Sequence, residues 1–263
     1  MEIDLLLIPM GARYAEMRAA ALAAEDAGFG GLWTWDHLRD TDADHSPGVP
    51  EAWTTLTALA EATRRIKLGP LVLNVANRRP GVLANMAATF QQVSGGRLLL
   101  GIGAGGSRRT PYAVEQAAIG LGVDGDAVRA QRVVEAIALI RRLWAGEAGF
   151  LIPDPLPPII VGGFGPRMAR IAGEHGDGFN TQAMHPHLDE LARIAREAYA
   201  ARGQDPATFM LTVFAGLDDR WLRADSRARQ MLERLDVSRL ILLIGPPFAP
   251  EPIRAAARFL RRD

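Results

Sequence analysis

The sequence predicts an α/β protein, a (β/α)8 (TIM) barrel, on three observations. Short apolar runs alternate with longer amphipathic stretches along all 263 residues, there are about eight of each, and no linker, repeat or low-complexity tract breaks the rhythm. Strand followed by helix, over and over, requires a parallel sheet, and eight such units close a barrel. Length alone allows two domains, but α/β barrels of this size form one, so 1–263 reads as a single barrel domain.

The first strand is Ile3–Ile8, followed by a helix over 13–28 that stops at Gly28. The second is Gly31–Trp35, with a helix over 51–64 beginning at Pro50. Ile66–Leu73 and a helix over 81–94, stopped by Gly95, make the third unit; Arg97–Ile102 and a helix over 126–146 make the fourth. Ile159–Val161 leads to a helix over 166–175 opened by Pro166, and Gly178–Thr181 to one over 187–202 closed by Gly203. Met210–Phe214 with 221–235, and Leu240–Ile244 with 250–262 opened by Pro250, complete the set. Each strand is near-continuously apolar, as it must be when helices cover one face and a packed barrel interior the other. Glycine after a helix and proline at its start are the expected stop and start signals. The irregular segments are 38–50, 104–125 and 148–158; the first two follow strands and belong on the carboxyl face, the third on the opposite face.

Composition narrows the partners. Lys+Arg and Asp+Glu both number 30, so no net field recruits nucleic acid or a membrane surface, and a small-molecule substrate is expected. There is no cysteine, which removes disulfides, thiolate nucleophiles and zinc-thiolate sites. With Met1-Glu2-Ile3-Asp4 lacking the basic start of a secretory signal, the expectation is a cytoplasmic protein. Lys67 is the only lysine, a bias that reads as GC-rich coding rather than chemistry.

Candidate site residues cluster at strand ends. Asp36-His37 closes the second strand behind Trp33 and Trp35; the histidine is a proton donor or hydrogen-bond partner to a ring heteroatom, or else the pair is structural. Gly101-Ile-Gly103-Ala104-Gly105-Gly106 formally satisfies G-x-G-x-x-G, but Ser107-Arg108-Arg109-Thr110-Pro111-Tyr112 follows where a dinucleotide fold needs a helix. These glycines are better read as backbone lying flat against a planar ligand. Gly162-Gly163-Phe164-Gly165-Pro166-Arg167 joins a strand to a helix start, offering uncovered amides and a helix dipole to a phosphate, or making an ordinary turn. Asn74 ends the third strand, as an amide for the site or as a turn residue. His185-Pro-His187 lacks a carboxylate at ligand spacing, so no metal is expected, while His45 and His175 read as loop and helix-end residues.

Taken together, Glu25-Asp-Ala-Gly-Phe29 with Trp33-x-x-Asp36-His37, Arg79-Pro80, Ser94-Gly-Gly-Arg97-x-x-Leu100-Gly-x-Gly103-x-Gly105, Val161-Gly-Gly-x-Gly-Pro166 and Gly176-Asp-Gly178-Phe179 resemble the luciferase-like monooxygenase superfamily, which includes coenzyme F420-dependent enzymes. The resemblance implies a bacterial-luciferase-like barrel, usually a homodimer, binding F420 or, alternatively, FMN. It implies that Asp36 and His37 sit beside the cofactor ring, with His37 catalytic. It further implies a bulge from Leu71 and Val72 to Asn74 under the ring, often with a non-proline cis peptide, and phosphate in the turn at 162–165. Ala104, Gly105, Gly106, Gly162, Gly163, Phe164, Gly165 and Arg167 complete the implied cofactor contacts.

Two departures stand out: the family's sugar-phosphate dehydrogenases place a tryptophan four positions after the histidine and a glutamate after the fourth strand's glycines, where this chain has Thr41 and Gly106. The segment that often lids the pocket is reduced to Glu147–Pro158, which implies open access. The expected function is an F420-dependent oxidoreductase moving hydride between the deazaflavin and a small organic substrate. The alternatives are an FMN-dependent monooxygenase using reduced flavin and O2, and a non-catalytic flavin-binding barrel. Arg78, Arg79, Arg108, Arg109 and Arg167 form an expected rim for the polyglutamate tail of F420, or simply the surface of an arginine-rich protein.

Overall fold

The computed structural model describes residues 1–40 and 48–260. Among them are nine strands: β1 (Glu2–Leu7), β2 (Gly31–Thr34), β3 (Lys67–Pro70), β4 (Leu73–Asn74), β5 (Leu100–Gly103), β6 (Ile159–Gly162), β7 (Gly178–Gln182), β8 (Met210–Gly216) and β9 (Arg239–Ile244). They pair in parallel in the order β3-β2-β1-β9-β8-β7-β6-β5-β4. β3 and β4 are two halves of one stave, parted at the cis peptide between Leu71 and Val72. That stave closes the ring: Leu68 bridges to Leu98, and β4 pairs with β5 through Leu73↔Ile102 and Asn74↔Gly103. With β3 and β4 joined, the nine strands make the eight staves the sequence predicts.

The helices are α1 (Tyr14–Ala27), α2 (Ala52–Ala62), α3 (Pro80–Ser94), α4 (Tyr112–Ala118), α5 (Asp126–Trp144), α6 (Pro166–His175), α7 (Leu188–Ala201), α8 (Asp219–Leu222), α9 (Arg227–Arg234), α10 (Pro250–Ala255) and α11 (Ala257–Leu260). Gly28 and Gly95 end α1 and α3 in the left-handed region, at φ 96° and 65°. Two expectations need correction. The segment 104–125 is not irregular throughout, since α4 lies within it. The helix expected over 221–235 is broken, because the Ser226 hydroxyl accepts from the Arg229 amide at 3.0 Å and starts a second helix there.

The period-two alternation of the strands divides the core. Leu5 and Leu7 face the outer layer of helices, as do Leu98 with Leu100, Ile159 with Val161, and Leu240 with Leu242. Leu6, Leu99, Ile160 and Ile241 point into the barrel, where Trp33 and Leu71 join them. Several polar motif residues serve this scaffold. The buried Arg97 guanidinium donates to the carbonyls of Ala60 (2.6 Å), Ile66 (3.0 Å) and Ser94 (2.5 Å), tying α2 to α3. With burial, and with no carboxylate in contact among the described residues, its charge is held less firmly than usual. Asp177 accepts from the Ile159 amide at 2.8 Å and from Arg141 at 2.8 and 2.9 Å, pinning the entry of β6. Of the segment 148–158, residues 150–158 pack on the amino face as expected, with Gln91 Nε2 donating to the Pro155 carbonyl and the Leu100 amide to that of Pro158. They are therefore not the remnant of a lid over the carboxyl-face mouth, and their shortness does not open it.

Candidate functional site

The carboxyl ends of the staves bring together apolar side chains that rest on the barrel interior: Ile8 after β1, Trp35 after β2, Val72 at the break between β3 and β4, Phe214 on β8 and Leu243 on β9. Active sites of parallel barrels lie on this face because the loops there are free to vary. Val72 is seated by glycines around it. A Cβ on Gly103 would stand 2.6 Å from Val72, one on Gly162 2.9 Å, and one on Gly101 3.1 Å. Those three glycines on β5 and β6 are therefore spaces cut for the bulge.

Asp36 and His37 lie just beyond β2. The Asp36 carboxylate has no exposed surface; it accepts the Asn74 amide at 2.9 Å and both arms of Arg78 at 2.7 and 2.8 Å. Arg78 also contacts Glu51, which caps α2 by accepting the amides of Trp53 and Thr54. Burial works against the charge on Arg78, yet Asp36 and Glu51 outweigh it and raise the guanidinium above its usual value. For Glu51 burial alone would raise the carboxyl, but the Thr54 and Trp53 amides and Arg78 hold it below the usual range. Arg78 is thus spoken for and is not a free arginine of the expected rim. Asn74 makes a local turn, its Oδ1 accepting the Ala76 amide at 3.0 Å, while its side chain packs on Gly105, where a Cβ would be 2.5 Å away.

His37 is held on several sides. Its side chain is 21% exposed, and Nδ1 lies 3.2 Å from Oε2 of Glu115, whose side chain is 6% exposed. Tyr112 stacks on the imidazole with centroids 4.3 Å apart and planes at 20°, and Trp35 meets its edge at 6.1 Å. Both Tyr112 and Glu115 come from α4, so the cover over this histidine is supplied from the loop after β5. Neither residue was expected. The signal available was the run Tyr112-Ala-Val-Glu-Gln-Ala-Ala118 behind Pro111, helix formers after a helix-starting proline, in a segment otherwise punctuated by glycines.

After Gly162, the last residue of β6, the turn to α6 is made by Gly163, Phe164 and Gly165. A Cβ on Gly163 would meet Met168 at 2.4 Å, whereas one on Gly165 would meet nothing within 4 Å. Phe164 is 59% exposed and lies edge-on to Phe214 at 6.3 Å. Arg167 is exposed in the first turn of α6. His185 steadies this turn: its Nδ1 accepts the His187 amide at 3.2 Å, so Nε2 carries the proton and donates to the Phe164 carbonyl at 3.1 Å. Both ring nitrogens of His185 are engaged. Ala104 and Gly105 present their carbonyls to Arg129 of α5, and Gly106 packs against Thr110 and Tyr112. Thr41 and His45 lie outside the described residues.

The model of the luciferase-like monooxygenase family matches residues 4–260. The chain belongs to that family. Among proteins similar to this luciferase-like chain is a 5,10-methylenetetrahydromethanopterin reductase of Archaeoglobus fulgidus, 32% identical over 78% of the chain and 60% of the relative. An F420-dependent glucose-6-phosphate dehydrogenase of Beutenbergia cavernae is 36% identical over 62% of the chain and 51% of the relative. The chain thus spans about half to three fifths of these relatives' lengths. Its fold is that of a solved F420-dependent secondary alcohol dehydrogenase in complex with an F420-acetone adduct, with a TM-score of 0.81, 19% identity and 99% of both chains covered. Among the described residues no helix is long and apolar enough to cross a membrane.

Proposed function

We propose that this chain is an F420-dependent oxidoreductase acting on a small organic substrate, with His37 as the group that handles the proton. The observation that carries the reading is the setting of His37. It stands at the carboxyl end of β2 beside an apolar mouth, with one ring nitrogen held by Glu115 and the other without a hydrogen-bond partner among the described residues.

The residues present fit such a cofactor. Ile8, Trp35, Val72, Phe214 and Leu243 offer a partly buried apolar surface to a planar ring, and the break at Leu71–Val72 stands where the resemblance puts the bulge beneath it. Gly165, with open space where a Cβ would point, and Arg167 in the first turn of α6 suit a phosphate. Buried polar atoms without partners among the described residues, Gln116 Oε1 on α4 and the Asn77 amide after β4, remain for ligand or water. When bound, F420 supplies a hydride acceptor or donor. The protein's part is alignment, a partly dry mouth, and a proton taken or given at His37. Asp36 acts at one remove, holding Asn74 and Arg78 so that the bulge keeps its place.

The same reading takes residues 1–263 as one domain, cytoplasmic and homodimeric. The pairing face it favours is that of α2 and α3, which carry a single charged side chain, Glu61, over 52–62 and 80–94. The test is a spectral titration of purified protein with F420 and with FMN, followed by turnover of His37→Ala. Binding of F420 in preference to FMN, with turnover reduced on the order of a hundredfold and affinity largely kept, is expected. Preference for FMN, or unchanged turnover, would overturn it.

A further inference from the structure

We infer that Glu115 is a positioning residue that fixes His37 as the Nδ1–H tautomer, leaving Nε2 as the proton acceptor, and that α4 exists to deliver it. The inference rests on the proton-handling role given to His37 above. Glu115 is buried, and its only hydrogen-bond partner among the described residues is Nδ1 of His37 at 3.2 Å. A carboxylate hidden from water needs a donor, and a carboxylate only accepts, so the facing ring nitrogen carries the proton. The opposite nitrogen then keeps its lone pair.

The arrangement is built rather than incidental. Tyr112 and Glu115 are three residues apart on α4 and so share one side of it, where one covers the imidazole face and the other meets its edge. Gly106 admits this packing: a Cβ there would stand 2.6 Å from both Tyr112 Cβ and Thr110 Oγ1. The carboxylate beside the histidine therefore comes from Glu115, and position 106 has no room for one. The titratable groups touching the imidazole among the described residues are Glu115 and Tyr112; Asp36, its neighbour in sequence, is turned to Asn74 and Arg78. In the oxidising direction a substrate O–H bond would break as the Nε2–H bond forms, the hydride leaving the substrate carbon for the F420 of the proposed function, and the imidazolium so made would face the Glu115 carboxylate. In the reducing direction the same proton returns to the substrate oxygen.

The test reads the ring directly. In ¹⁵N-histidine-labelled protein without cofactor, with His37 assigned from the His37→Asn spectrum, neutral His37 is expected to be protonated at Nδ1. Glu115→Gln keeps an acceptor oxygen at the same place and should retain that tautomer. Glu115→Leu should move the population towards Nε2–H and, in the F420-loaded enzyme, lower kcat about 10- to 100-fold with KM little changed. An unchanged tautomer in a Glu115→Leu variant that melts like the parent would overturn the inference. If His37→Asn leaves turnover intact, the proton-handling reading of His37 fails, while the tautomer measurement still decides whether Glu115 sets the ring.

Discussion

Asp4, on the first strand, and Arg239, on the last, stand 235 positions apart in the chain and form a two-point ion pair at 2.6 and 2.9 Å. Trp33 donates its indole N–H to the same carboxylate at 2.8 Å, so β2, β1 and β9 are stitched together at the amino end of the barrel. Burial opposes the charge on Arg239, but Asp4 outweighs it and holds the guanidinium above its usual value. Asp4→Ala strands a buried cation and a buried indole N–H, and should cost about 3–5 kcal/mol in urea unfolding. Asp4→Leu combined with Arg239→Met removes both charges and should recover much of that loss. A single variant as stable as the parent would show that the pair does not hold the seam.

A second carboxylate, Glu25, gives stability a pH dependence. Glu25 accepts the backbone amides of Arg64 (2.9 Å), Arg65 (2.6 Å) and Ile66 (3.0 Å), fastening the end of α1 to the entry of β3. Burial alone would raise its carboxyl, but the three amides hold it below the usual glutamate range. A carboxyl depressed by folding contributes stability that is complete above its unfolded value and is lost as pH falls through its folded one. Glu25→Ala should therefore cost about 1–3 kcal/mol near pH 7. The gap between variant and parent should narrow as pH falls below the ordinary carboxylate range. A gap that stays constant across that range would assign the loss to packing instead.

The staves were legible because each is short, apolar and followed by an amphipathic stretch, and all eight fall where the pattern puts them. Only the third is divided, at Leu71–Val72, a backbone event that leaves no trace in hydropathy. The candidate site was half legible. Asp36, His37, Asn74 and the glycines stand out because they sit at strand ends, where a polar or missing side chain is conspicuous. Glu115 and Tyr112 do not: they belong to a seven-residue helix too short to show a period, and their burial is decided by His37, 78 positions from Glu115. Glu25, Arg97 and Asp177, quoted beside His37 for the family resemblance, have backbone groups or scaffold charges as partners.

The glycines of the β6–α6 turn should separate by experiment. At Gly163 a Cβ meets Met168 at 2.4 Å, so Gly163→Ala forces α6 to shift and should cost about 1–3 kcal/mol by overpacking. Gly165 has φ −149°, open to any residue, and free space beside it; Gly165→Ala should lower stability by no more than about 1 kcal/mol, the cost of a poorer helix cap. If this turn receives the cofactor phosphate, Gly165→Ala should weaken F420 binding several-fold while the melting curve barely moves. Unchanged binding in that variant would send the phosphate elsewhere.

Arginines at the mouth fall into two classes, and their variants should behave oppositely. Arg78 is tied to Asp36 and Glu51, with a side chain 12% exposed, so Arg78→Ala leaves a fully buried carboxylate uncompensated and should cost about 3–5 kcal/mol. Arg167 is exposed at the start of α6 and makes no ion pair among the described residues, so Arg167→Ala should leave the melting curve unchanged within about 0.5 kcal/mol. What Arg167 offers is a charge for an anion, and an exposed charge acts weakly, by about 0–1 kcal/mol, and is screened by salt. Binding of F420 to Arg167→Ala should accordingly be reduced no more than about fivefold at low salt, with the difference from the parent vanishing as salt rises. Arg108 is partly committed, since its Nε donates to the Val123 carbonyl at 2.6 Å, which leaves Arg109 as the freer partner for a tail of carboxylates. Arg109→Ala should therefore weaken F420 carrying its polyglutamate tail more than tail-less F420, whereas Arg167→Ala should weaken both alike, because the phosphate is common to them. Equal loss for the two cofactor forms in Arg109→Ala would take the tail away from Arg109, leaving Arg79, another exposed arginine of the expected rim, as its remaining partner beside the phosphate charge at Arg167.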